Sequence, residues 1–310
     1  IRLLERRRDM NRKTAGVLNG AIAAASYGTN PLFALPLYAA GVGVNSVLFY
    51  RYAFAVVIYG IWLKFFKKTS FAISLKEFFP LLFLALFFSL SSLTLFEAFK
   101  YIEAGIACTI LFIYPVMVAV IMWLFFKEKL TKTVIFAILL TSAGIILLYK
   151  GKPGGAGLNM HGVCIVLLSA LLYALYIVGV KNIKEIKHMK PDKLSFYVML
   201  FGLLVYVYNL KFCTRLQMLD TPLLWLYAVA LALFPTIISL ETITIAIKLI
   251  GSTTTAILGA LEPLTAIFFG VVFFHEQLTI RICIGVALIL CGVFLIVTRN
   301  VRKKRKFKLV

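Results

Sequence analysis

Charged side chains are scarce in this chain, and acids scarcest of all. Only 15% of the 310 residues are charged, and 12 carboxylates stand against 33 lysines and arginines. A soluble domain of this length would need far more polar surface. Histidine and cysteine are sparse too. His161, His188 and His275 stand alone at the edges of apolar segments, which gives a metal site little support. Of Cys108, Cys164, Cys213, Cys283 and Cys291, four lie within apolar segments and none forms a CxxC or a Cys/His cluster. They read as small apolar fillers. The phosphate-cradling pattern GxxxxGK[ST] is missing, so ATP hydrolysis by this chain is unsupported. No cofactor, no metal and no catalytic residue is expected.

What the chain has instead is hydrocarbon: 62% hydrophobic residues and a mean hydropathy of +0.98. Apolar runs of roughly 20 residues recur, each able to cross about 30 Å of hydrocarbon as a helix. The fold class expected is an all-α polytopic membrane protein. Ten spans are placed at about 15–37, 44–66, 78–99, 104–126, 132–149, 162–181, 194–212, 222–247, 251–274 and 280–298. The Gly-rich connection at 150–160 is a flexible linker between a unit at 15–149 and a unit at 161–298. Residues 1–14 and 299–310 are basic tails. Met10 is the more natural start, so residues 1–9 are either upstream sequence or part of that tail. The first apolar run is long and followed by many more, so it is not read as a cleaved signal.

A net charge of +21 invites a nucleic-acid reading, but the placement of the charges opposes it. The basic residues fall in short runs between apolar segments, the pattern that sets membrane orientation. With the N-terminus inside, 26 of the 33 lysines and arginines are cytoplasmic. Both termini are then expected in the cytoplasm, in the plasma (inner) membrane. The C-terminal Arg302-Lys303-Lys304-Arg305-Lys306 is a topology anchor on anionic lipid. Partners expected are the bilayer, a small-molecule substrate and protons as a coupling candidate, with a monomer as default.

The two units are copies. Adding 148 to the numbers of Glu103–Thr131 superimposes that stretch on Gly251–Thr279 without a gap. Pro115 falls on Pro263, Phe125-Phe126 on Phe273-Phe274, and Glu128-x-Leu130-Thr131 on Glu276-x-Leu278-Thr279. Thr94, Ala98, Lys100 and Gly144 meet Thr242, Ala246, Lys248 and Gly292 in the same register. Hydrophobic chance would seldom align Lys, Pro, Glu and Gly together, so the chain carries an internal duplication. Each copy holds five spans, and an odd number turns the second copy upside down. The hinges agree: Lys127, Lys129 and Lys132 of the first are replaced by His275, Gln277 and Ile280 in the second. Inverted repeats build alternating-access transporters with a site near the midplane.

Ala246-x-Lys248, Glu262-Pro263, Glu276-x-Leu278-Thr279 and Gly285 to Gly292, with their first-copy counterparts, closely resemble the EamA family of the drug/metabolite transporter superfamily. The resemblance covers about residues 15–298. It implies two inverted five-helix repeats, a central cavity between the halves, and export of metabolites or amino acids. One departure is Tyr114 where the second copy has Glu262, so the two halves of that cavity are not chemically equivalent.

Ionisable residues within a span cost about 2.5–3.5 kcal/mol on insertion scales and face a bundle interior or a wet cavity. Glu262 lies deepest, roughly 16 Å along its span. It either binds a substrate ammonium or takes up a proton, or it accepts hydrogen bonds at the bend that Pro263 makes by freeing the Gly259 carbonyl. Glu241, roughly 10 Å from the inner end, has Leu93 as its counterpart and is a specificity or coupling candidate, or half of an ion pair. Arg51 is its candidate partner, or holds a substrate carboxylate, or snorkels outward. Glu97 sits three residues before Lys100, the spacing of a surface pair. Asn30-Pro31 and Pro36 break the first span, making it a cavity wall with Tyr27, Asn30, Tyr173 and Tyr176; each tyrosine is equally an ordinary packing residue. Pro115, Pro263, Glu128 and Glu276 form structural hinges, the acids capping the next helix or bonding its first amides. The Ser252–Thr255 run reads as a cap.

The expected function is a secondary transporter, working as an exporter, of small metabolites such as amino acids or amines. One rival is an antiporter of nucleotide sugars or phosphate esters, which needs several basic residues in the cavity where only Arg51 is deeply placed. Another is an intramembrane lipid-modifying enzyme, which needs a nucleophile with its base.

Overall fold

A computed structural model describes residues 2–127, 132–149, 159–187, 189–259 and 261–307. Among these no strand occurs. Fourteen helices follow in order: α1 (Arg2–Tyr27), α2 (Asn30–Ala39), α3 (Val44–Phe65), α4 (Leu75–Ala98), α5 (Ala104–Leu111), α6 (Tyr114–Phe126) and α7 (Lys132–Tyr149) from the first half. The second half gives α8 (Met160–Asn182), α9 (Lys184–Lys187), α10 (Pro191–Asn209), α11 (Pro222–Ala232), a π-helical segment Leu233–Ile238, α12 (Ser239–Leu258), α13 (Leu261–Phe274) and α14 (Ile280–Phe307). Five stretches are long and apolar enough to cross a membrane: Val44–Phe65, Leu75–Ala98, Ala104–Phe126, Met160–Val180 and Pro222–Ile243. Shorter apolar helices cover Ile135–Leu147, Leu261–Phe274 and Ile280–Gly292.

Prolines mark where five of these helices begin. Pro31, Pro115, Pro191, Pro222 and Pro263 all lie in the first turn of a helix, where a missing N–H costs nothing. Polar caps do the same elsewhere. Glu77 accepts from the Ser74 amide at 2.7 Å and hydroxyl at 3.0 Å ahead of α4, and Asn159 accepts from the His161 amide at 2.9 Å ahead of α8.

The first span is broken at Asn30-Pro31 as expected: α1 gives way at Gly28-Thr29 and Asn30-Pro31 opens α2, while Pro36 is carried inside that helix. The chain is helical from Pro222 to Leu258, but this run folds back on itself. Ala246 Cβ and Leu258 Cβ lie 3.5 and 3.6 Å from where a Cβ on Gly20 would sit, whereas a straight helix would hold them about 18 Å apart. The chain therefore reverses between Ala246 and Leu258, as the expected spans at 222–247 and 251–274 require.

The copies lie head to tail. Glu276, just beyond α13, reaches the first amide of α5 at Ala104. The α13 end thus meets the α5 start, and the α5–α6 pair runs away from it to Phe126. The hinges after α6 and after α13 are therefore at opposite ends of the bundle.

The corresponding helices α7 and α14 pack together through glycine. A Cβ on Gly144 would sit 2.7 Å from the Gly285 carbonyl, and one on Gly292 would sit 2.7 Å from Thr141 Cγ2 and 2.9 Å from the Ala137 carbonyl. Small residues give membrane helices the close approach that substitutes for a hydrophobic drive. Gly292→Val is expected to destabilise the protein by about 1–3 kcal/mol through overpacking, read as a lower melting temperature in detergent, whereas Gly292→Ala costs less.

Candidate functional site

Between the halves the helices leave a partly enclosed space. It measures about 100 Å³ and is bounded by the end of α1 (Gly20 to Tyr27), Arg51 of α3, Phe88 of α4, Leu111 and Tyr114 at the α5–α6 turn, Tyr173 of α8, the segment Pro235 to Ile243, Gly259 and Glu262. Of the residues expected to line a pathway, Tyr27, Arg51, Tyr173 and Glu262 are brought together here.

Arg51 is 2% exposed. Its Nε donates to Thr236 Oγ1 at 3.0 Å, and its guanidinium carbon lies 5.3 Å from the Phe96 ring centroid and 6.0 Å from that of Tyr52. Among the described residues no carboxylate pairs with it. A guanidinium carries five N–H donors, and a buried charge without a counter-ion is costly. Its environment therefore favours an incoming anion.

Glu262 stands in the first turn of α13. The expected free carbonyl at Gly259 is not free, because it accepts from the Glu262 amide at 3.0 Å. The Glu262 side chain remains partly accessible through the cavity and has no hydrogen-bond or ion-pair partner among the described residues. Tyr27 lies within electrostatic reach of both Arg51 and Glu262.

The cavity is chemically polarised, and the internal register says how. Tyr114 corresponds to Glu262 and Phe88 to Thr236, each pair offset by 148, and all four line the space. The second copy supplies the polar member of each pair and the first an aromatic ring. Tyr173 continues the aromatic wall, 4.7 Å from Tyr114 in an edge-on contact. Tyr176 stands behind it, stacked on Tyr173 at 6.0 Å and against Phe88 at 5.1 Å, and does not line the cavity.

Other expected site residues have different surroundings. Asn30 is fully buried beside the cavity rather than in its wall. Its Nδ2 donates to the Tyr27 carbonyl at 2.9 Å, pinning the break between α1 and α2, and its Oδ1 has no partner among the described residues. Glu241 lies outside the cavity. Its ion-pair partner is Lys67, not Arg51: Lys67 Nζ is 2.9 Å away, and Tyr59 donates to the same carboxylate at 2.7 Å. Lys67 also reaches Asp192 at 3.0 Å and lies 4.4 Å from the Trp62 ring. Burial pulls the Lys67 ammonium down, but the bonds and charges of Glu241 and Asp192 outweigh it and hold it above its usual range. Glu97 makes an exposed pair with Lys100 at 2.8 Å, as their spacing suggested.

The hinge residues divide their work differently than expected. Pro115 and Pro263 start α6 and α13. Glu128 lies outside the described residues. Glu276 does not cap its following helix. Thr279 does that, accepting from the Ile282 amide at 3.3 Å. The Glu276 carboxylate instead folds back over Gly270, where a Cβ would lie 2.1 Å from it, and accepts from the Ala104 amide of the other repeat at 2.9 Å. Burial pushes it up to about 7 against the pull of the Ala104 amide. Met122 holds the position equivalent to Gly270 in the register of 148.

Thr236, Lys67 and Tyr59 were not legible as site residues. The available signal for Thr236 was its place after a proline in an otherwise apolar span; Lys67 resembled one more topogenic charge. Among the described residues no three His, Cys, Asp or Glu side chains gather as a metal ion would require.

Comparison with known proteins gives this architecture a family. The chain is 29% identical over 215 residues to an uncharacterized transporter of Archaeoglobus fulgidus, covering 69% of this chain and 75% of that protein. A solved crystal structure superposes with a TM-score of 0.63 at 18% identity, over 91% of this chain and 96% of that one, a likeness of fold. The model of the EamA-like transporter family matches twice, over residues 14–150 and 160–298. With both halves matched and apolar helices throughout, this multi-pass membrane chain belongs to the EamA-like transporter family.

Proposed function

We propose that the protein is a secondary transporter that moves a small zwitterion of amino-acid type through the central cavity by alternating access. The observation that carries this is the meeting, in one space of about 100 Å³, of Arg51, a buried cation with no carboxylate among the described residues, and Glu262, an acid with no donor among them. The first suits a carboxylate, the second an ammonium. The aromatic wall of Phe88, Tyr114 and Tyr173 suits an apolar substituent. Drug-sized sites run to about 300–1,000 Å³, so this space favours a small solute over a nucleotide sugar. Membership of a transporter family supports a non-enzymatic role.

Ten spans in two inverted repeats, with both termini cytoplasmic, remain the topology this reading uses. The Lys67–Asp192–Glu241 cluster joins the α3 side of the first repeat to α10 and α12 of the second at the end of the bundle that carries the basic connectors. It closes the cytoplasmic end. Glu276 joins the repeats at the other end through Ala104. Export is the direction the family resemblance implies. Glu262 is the coupling candidate, since Glu241 is spent on Lys67.

The test is uptake into proteoliposomes. Glu262→Gln is expected to lower transport of labelled L-valine by about ten- to hundredfold, the range of a charged hydrogen bond, and to flatten its pH dependence. Transport by this variant with unchanged rate and unchanged pH profile would remove Glu262 from both roles.

A further inference from the structure

Pro235 has no backbone N–H, so an α-helical turn there would leave the carbonyl four residues earlier, at Leu231, without its donor. The chain answers with a π-helical segment, Leu233–Ile238. In that wider turn the Thr236 hydroxyl donates to the orphaned Leu231 carbonyl at 3.2 Å. Its proton thus committed, Thr236 Oγ1 accepts from Arg51 Nε at 3.0 Å. Thr236 is 4% exposed, and both residues line the cavity. Neither terminal nitrogen of Arg51 has an acceptor among the described residues. One edge of the guanidinium is therefore occupied and fixed, and the two-pronged end is left open.

We propose that Thr236 is a positioning residue that presents the guanidinium fork of Arg51 to a carboxylate, and that the π-helical segment exists to place its hydroxyl there. The inference rests on the zwitterion reading above. A bidentate contact needs the planar group held at one angle, and rings under the guanidinium at 5.3 and 6.0 Å restrain tilt without choosing rotation in the plane. The hydroxyl chooses it. The equivalent position in the first copy is Phe88, with Phe87 in place of the proline. This device therefore belongs to one half of the cavity only, and a carboxylate enters with a defined orientation.

The probes are labelled L-valine and isobutylamine, the same skeleton without its carboxylate, taken up by proteoliposomes. Thr236→Val keeps the shape and removes the hydroxyl; Thr236→Ser keeps the hydroxyl. The expected result is an apparent KM for L-valine raised about tenfold in Thr236→Val with the maximal rate held within twofold. Isobutylamine uptake should be unchanged, and Thr236→Ser should behave like wild type. Equal losses for both probes, or a loss in Thr236→Ser matching that in Thr236→Val, would show a structural role and overturn the proposal. So would a normal KM for L-valine in Thr236→Val while an Arg51→Met variant fails, and this outcome would leave the zwitterion reading standing. Indifference of L-valine uptake to Arg51→Met would bring down the zwitterion reading and this inference together.

Discussion

Arg51→Met is expected to lower L-valine transport by two to three orders of magnitude while leaving the empty protein as stable as wild type or more so. The two halves of this result have one cause. Arg51 is 2% exposed and pairs with no carboxylate among the described residues, so in the empty protein its charge is held by one threonine and two rings. Replacing a buried, poorly compensated charge by an apolar side chain of similar length relieves a desolvation cost. Once substrate is bound, the same charge meets a carboxylate in a site closed to water, and losing one partner of a buried charge pair costs about 2–5 kcal/mol. Arg51→Lys keeps the charge but not the fork, and is expected to fall between the two. Uptake kinetics and thermal melting of one preparation give both readings. Transport within threefold of wild type in Arg51→Met, or a marked loss of stability, would assign Arg51 to scaffolding.

The second large effect concerns the Lys67–Asp192–Glu241 cluster. Lys67→Glu would put three carboxylates, with Asp192 and Glu241, where one ammonium now joins them at 2.9 and 3.0 Å. Exposed ion pairs are worth little, but here attraction turns into repulsion across the seam between repeats, and the Tyr59 hydroxyl is already committed to Glu241 at 2.7 Å. A coupling of about 1–3 kcal/mol corresponds to 5- to 150-fold in a conformational equilibrium. With Ala24→Cys as a reporter in the cavity wall and the five native cysteines replaced, labelling by an impermeant thiol reagent from the cytoplasmic side should rise about tenfold. Combining Lys67→Glu with Glu241→Lys restores one opposite-charge pair and should bring labelling most of the way back. Unchanged labelling in the single variant would show that the cluster closes nothing.

Much of the architecture was written into local chemistry. Composition alone dictated a membrane solvent. The register of 148 that carries Pro115 onto Pro263 and Glu128 onto Glu276 marked two copies, and prolines placed five of the fourteen helix starts. The depth of Glu262 and Arg51 along their spans was enough to mark them, because an ionisable group in hydrocarbon must find a wet or polar surface whatever the fold. The Tyr114–Glu262 asymmetry was visible as a mismatch between copies before the cavity that joins them was known.

What required the tertiary structure was partnership. Glu241 read as a coupling acid or as half of an ion pair with Arg51, yet its partner is Lys67, 174 residues away. Glu276 looked like the cap of its own next helix and instead bonds Ala104 of the other repeat, 172 residues away. The π-helical turn that brings Thr236 to Arg51 was equally invisible. The reason is the solvent. In water an apolar stripe tells which face of a helix is buried. In lipid a helix is apolar all round, since tails and neighbours present the same hydrocarbon, and packing is settled by small residues and a few polar bonds. Hydropathy therefore determined that this is a bundle of apolar helices in lipid. Only the assembled bundle decided which of the few charges face one another across it.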